Sequence, residues 1–99
     1  KENIMKGYWV CIYEKIHSKE KLQEYAVKAL KAVEKYSGGF LVRRQTNRVT
    51  EGFMSPRTVV VEFESYKKAE QCFDSKEYQD AHEILKGHCK RNHVIVEGS

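Results

Sequence analysis

Ninety-nine residues with 18 Lys and Arg against 14 Asp and Glu form one domain of net charge +4, able to bury roughly two thirds of its unfolded surface and too short for a second core. Lys19, Lys21, Lys28, Lys31 and Lys35 alternate with Glu20, Glu24 and Glu34, which marks a solvated helix face rather than a nucleic-acid footprint. Cys11, Cys72 and Cys89 lack any C-x-x-C spacing, and no apolar run approaches membrane-spanning length. The expectation is a reducing, cytoplasmic setting without disulfides, metal or membrane contact.

Residues 1–4 carry no pattern and read as an N-terminal extension to a single domain over 5–98. Lys6 to Glu14 is rich in aromatic and branched side chains and predicts a strand. Ser18 is placed to cap a helix over Lys19 to Tyr36, where Leu22, Ala26, Ala29, Val33 and Tyr36 recur at three- and four-residue spacing. Ser37-Gly38-Gly39 ends that helix. Phe40 to Arg44 resumes strand chemistry, with a continuation expected through Arg48-Val49-Thr50 and a turn at Gly52 to Pro56. Thr58 to Phe63 is a third strand and Ser65 caps a helix over Tyr66 to Phe73. Asp74-Ser75 interrupts and recaps a further helix from Lys76 to about Lys86, with Tyr78, Ala81 and Leu85 on its buried side. Val94 to Glu97 closes as a short fourth strand. The fold class is therefore α+β, ferredoxin-like in its β-α-β-β-α-β order, with a four-stranded antiparallel sheet and helices on one face.

Alternation sorts each strand into two faces. One set holds Tyr8, Val10, Ile12, Phe40, Val42, Val59, Val61, Phe63, Val94 and Val96 and is assigned to the helices. The other holds Trp9, Cys11, Tyr13, Leu41, Arg43, Val60, Glu62, Ile95 and Glu97, mixed but too apolar to face water. With the helices spent on the first set, a second copy of the chain is the expected cover, giving a homodimer packed sheet to sheet.

The segments Met5 to Trp9, Phe40 to Arg43, Glu51-Gly52, Arg57 to Phe63, Ser75 to Tyr78 and Val96 to Gly98 stand in the order of a small bacterial family. That family is catalogued as domain of unknown function 1330, and the chain resembles it over nearly its whole length. The resemblance implies a dimeric α/β barrel, within a superfamily that also holds cofactor-independent monooxygenases, muconolactone isomerase-like proteins and dye-decolorising enzymes. It implies no particular reaction. Arg44-Gln45 stands where the family has a glycine pair, Lys76 where it has a proline, and Leu85 where it has an arginine.

Glu62, mid-strand between Val61 and Phe63, is the candidate catalytic residue, because a carboxylate there must find a partner or shift its pKa upward. Arg43 falls on the same predicted face. The two read either as an interface ion pair or as a general base beside a cation gripping an anionic or enolate-like substrate, and only an adjoining cavity separates these readings. Arg57 shares that gripping role, or pairs with Glu51 across a hairpin. Tyr25, next to the buried stripe, and Tyr78, in the first turn of the last helix, are either packing residues or ligand contacts. His82 and His88 are six apart, and no histidine completes a metal-binding spacing.

Three function classes follow. The first is a cofactor-free dimeric protein binding or transforming a small anionic or aromatic molecule. The second is a non-catalytic dimeric accessory domain. The third, an RNA-recognition module, shares the element order but lacks base-stacking aromatics at Thr58 and Val60, and Glu62 and Glu97 would repel phosphates.

Overall fold

The computed structural model describes residues 4–99, so all of the expected N-terminal extension but Ile4 lies outside the described residues. Three serines set the helices. Ser18 opens α1 (Lys19–Lys35), its hydroxyl accepting from the Lys21 amide at 3.1 Å. Ser65 does the same for α2 (Tyr66–Asp74) through Lys68 at 3.1 Å. Ser75 closes α2 and opens α3 (Lys76–Leu85): its hydroxyl donates to the Cys72 carbonyl at 2.6 Å and accepts from the Tyr78 amide at 3.2 Å. The second helical segment of the β-α-β-β-α-β order is therefore two helices joined at one residue.

Four strands, β1 (Gly7–Ile16), β2 (Gly39–Val42), β3 (Arg57–Phe63) and β4 (Cys89–Glu97), form an antiparallel sheet in the order β2-β3-β1-β4. With all helices packed on one side, the chain has the ferredoxin-like fold. Register decides which residues face those helices. Trp9 lies opposite Val61 on one side and Ile95 on the other, and Cys11 lies between Val59 and His93. The helix-covered face thus carries Trp9, Cys11 and Tyr13, all at most 3 % exposed, together with Val61 and Phe63.

The expected face assignment holds for Phe40, Val59, Val61 and Phe63, fails for Val42, which the irregularity at Leu41 turns to the outer side opposite Val60, and is inverted for β1 and β4. Tyr8, Val10 and Ile12 are half-buried on the outer side, where Val94 and Val96 are exposed. Both alternating sets of β1 are apolar, so period two gives parity without sign. The sign comes from a long-range contact. A Cβ on Gly7 would stand 2.5 Å from the Ser65 carbonyl oxygen and the Tyr66 Cα, so only glycine fits beneath the start of α2. With Gly7 there, Trp9 enters the core and its indole N–H donates to the Ala69 carbonyl at 2.9 Å.

Two strand lengths also differ from expectation. β2 stops at Val42 after an irregularity at Leu41, and residues 43–56 form a loop, not a continued strand. Asn47 draws the loop closed by donating to the Ser55 carbonyl at 3.2 Å, and the Ser55 hydroxyl, 2.7 Å from the Tyr13 carbonyl, ties the start of β3 to β1. β4 begins at Cys89, five residues before Val94, so Arg91 and His93 belong to the sheet.

Candidate functional site

At one end of the sheet a single row runs Arg57, Tyr13, Arg91 across β3, β1 and β4, all turned toward the helices. α1 lowers Tyr25 onto this row and α3 contributes Tyr78, held in its first turn by the Ser75 cap. The Arg91 guanidinium collects them. Its Nη1 donates to the hydroxyls of Tyr13 at 3.1 Å and Tyr25 at 3.2 Å and approaches the Cys11 sulfur at 3.5 Å, while Nη2 donates to the Tyr78 hydroxyl at 3.0 Å. Tyr25 and Tyr78 share a further hydrogen bond of 2.8 Å. The cation also lies against the Tyr25 and Tyr13 rings, 5.1 and 5.5 Å from their centroids.

This arrangement satisfies Arg91 without neutralising it. A guanidinium stays protonated throughout the accessible pH range, and its partners here are neutral. Burial pushes the Tyr13 and Tyr78 hydroxyls above the ordinary phenol range, outweighing the opposite pull of Arg91. Burial likewise raises the Cys11 thiol against the influence of Arg91, so no nucleophilic thiolate forms at neutral pH. His93 is held down to about 4, first by burial and then by the charge of Arg91, and is a neutral imidazole at neutral pH.

Between α1 and the sheet lies a cavity of about 50 Å³. Trp9, Val59, Val61, Ala26 and Ala29 form its apolar walls, and Arg43, Arg57, Arg91 and His93 its polar ones. No aspartate or glutamate lines it among the described residues. Ion pairs elsewhere do not relieve the charge, since the five formed among the described residues all use lysine. Arg43 instead rests over the Phe40 ring at 4.9 Å. Arg57 Nε is fully shielded from solvent and finds no hydrogen-bond partner among the described residues. The result is an apolar chamber whose polar walls are three arginines and a histidine, with one shielded N–H unpartnered among the described residues.

Of the residues singled out from sequence, Arg43, Arg57 and Tyr25 line this cavity, and Tyr78 stands behind it through Tyr25 and Arg91. Glu62 is elsewhere. It sits on the outer face, accepts from the Tyr8 hydroxyl at 3.0 Å, and forms no ion pair with Arg43 among the described residues; the expectation that both share one face does not hold. Glu51 is exposed in the 43–56 loop and forms no ion pair with Arg57 among those residues. Trp9 and Tyr13, expected at a dimer interface, are cavity walls. Arg91 and His93 escaped sequence reading because Lys90-Arg91-Asn92-His93 looks like solvated loop; the signal was the alternation Cys89, Arg91, His93, Ile95, continuous in parity with the strand after it.

The fold is shared with solved structures of low identity. A protein of unknown function from Rhodopseudomonas palustris matches with a TM-score of 0.78 at 9% identity, covering 98% of this chain and 85% of that one. A dimeric ferredoxin-like protein of unknown function from Thermobifida fusca matches with a TM-score of 0.58 at 11% identity, covering 98% and 94%. A putative antibiotic biosynthesis monooxygenase from Caulobacter crescentus matches with a TM-score of 0.57 at 16% identity, covering 96% and 90%. No curated protein matches the chain. The family model described as domain of unknown function (DUF1330) matches residues 6–99, and the chain belongs to that family.

Proposed function

We propose that this protein binds a small organic anion in the cavity between α1 and the sheet, and does so as a homodimer joined through the outer sheet face. The observation that carries the reading is the convergence of Arg43, Arg57 and Arg91 on an apolar chamber with no carboxylate in its lining among the described residues. A structural role alone accounts for Arg91, whose donors meet tyrosine hydroxyls, but leaves the buried Arg57 Nε without a purpose. That difference favours a binding protein over a purely structural accessory domain. The dimer is supported by the apolar outer face, on which Tyr8, Val10, Ile12 and Val60 are only half-buried and Val94 and Val96 are 37 % and 40 % exposed. Among the described residues the strands offer one aromatic ring on this face, Tyr8, too few to stack unpaired bases, so nucleic acid is not among the proposed partners.

A thermal-shift titration tests the reading. Carboxylates should raise Tm where the matched amides do not. At one hundred times Kd, binding contributes about 2.7 kcal/mol, a rise of more than about 10 °C for a domain of this size. Equal responses to carboxylate, amide and chloride would overturn it.

A further inference from the structure

The three arginines of the cavity are not equivalent, and their differences narrow the ligand. Arg91 turns both terminal nitrogens toward Tyr13, Tyr25 and Tyr78, so most of that end of its guanidinium is engaged by the protein. Arg43 is exposed at the mouth and rests over Phe40. Among the described residues Arg57 alone carries a shielded, unpartnered Nε, which a ligand in the chamber reaches by drawing the guanidinium toward itself. In a guanidinium, Nε–H and the neighbouring Nη–H point side by side at the spacing of two carboxylate oxygens, a fork that a lysine ammonium cannot reproduce.

Size supplies the second constraint. Drug-sized ligands occupy pockets of roughly 300–1,000 Å³, and an engineered cavity of about 150 Å³ admits benzene. The chamber here is about 50 Å³ and is walled by Trp9, Val59 and Val61 from below and by α1 from above. By that scale the chamber is sized for a methyl or ethyl group rather than for an aromatic ring.

We propose that the ligand is a short-chain monocarboxylate, of about two to four carbons, gripped side-on by Arg57 with its alkyl end against Val59 and Ala26. This rests on the anion-binding reading above and assigns Arg57 as its specificity-determining residue.

The experiment is a set of calorimetric titrations of the full chain with sodium propionate, sodium benzoate and inorganic phosphate, using wild type, Arg57→Lys and, as a control at an exposed loop arginine outside the cavity, Arg48→Lys. Propionate should bind wild type about tenfold or more tighter than either other anion. Arg57→Lys should lose about tenfold or more of that affinity, while Arg48→Lys loses less than about threefold, since only the first removes the fork. In wild type, the ¹H–¹⁵N signal of Arg57 Nε–H should move as propionate is added, a readout that does not depend on the variant folding. If no carboxylate binds wild type, the anion-binding reading falls and this assignment with it. If benzoate or phosphate binds as tightly as propionate, the chain-length assignment falls. If propionate binds but Arg57→Lys is unimpaired, or the Nε–H signal stays still, the Arg57 grip is wrong while the anion-binding reading stands.

Discussion

Arg91 carries a full charge into the interior, and the acceptors it meets among the described residues are neutral. Its field acts on whatever titrates nearby, and His93 is the group it meets, packed edge-on to Trp9 and against Tyr78. Burial and the Arg91 charge both disfavour the imidazolium, which brings His93 down to about 4 from an ordinary value of 6.5. Because the folded pKa lies below the unfolded one, the unfolded chain binds the proton more readily. Stability is therefore full above about pH 6.5, falls as pH drops toward 4, and levels off below that. The loss from this residue should reach about 2 kcal/mol by pH 5. His82, also lowered by burial, adds a change of the same sign. Urea midpoints measured at pH 7 and pH 5 should fall for wild type, and His93→Gln should remove most of that slope while lowering the midpoint at pH 7 through lost packing. An unchanged slope in the variant would mean that His93 does not titrate as its surroundings require.

The helices and their caps were legible in the sequence because their determinants are local. Ser18, Ser65 and Ser75 each stand one residue before a helical apolar stripe, and each does cap. The strands were legible as strands but not as faces. In β1, Tyr8, Val10 and Ile12 are as apolar as Trp9, Cys11 and Tyr13, and only the pairing with β3 and the approach of α2 to Gly7 select between them. The same contact hid the site. Arg57 and Tyr25 could be named as candidates, but their meeting with Arg91 depends on a register that no local pattern encodes. Gly7 is therefore the residue on which element-level consistency rests. In Gly7→Ala the new methyl meets backbone atoms at 2.5 Å, which must move because no flexible side chain can give way. The expected cost is about 1–3 kcal/mol, read as a lower Tm, with a further loss of anion affinity as Trp9 shifts. A variant as stable as wild type would show that α2 can slide over β1 freely.

At the scale of the whole molecule the unanswered surface is the outer sheet face. One row crosses all four strands there, Val42, Val60, Val10 and Val94 in register, an unbroken line of valines. Above it stand Tyr8, Glu62 and Val96, and below it Ile12, Thr58 and Asn92. A monomer gains nothing from keeping such a row apolar. Two copies of the sheet packed about a two-fold axis would bury the row and place each Glu62 near the rim of the contact, still bonded to its own Tyr8. In such an arrangement one substitution is felt twice. Val10→Lys puts two unpaired ammonium groups into the centre of the contact, with a desolvation cost of several kcal/mol, while in the monomer the same lysine only points into water. Light scattering at about 10 μM should give twice the chain mass for wild type and the chain mass for Val10→Lys, with unchanged circular dichroism; 10 μM lies well above the dissociation constants typical of a standard-size interface. Because the cavity lies on the helix side of the sheet, the variant should keep propionate binding within about threefold of wild type. A wild-type monomer at that concentration would leave the valine row without an occupant and would refute the face argument outright.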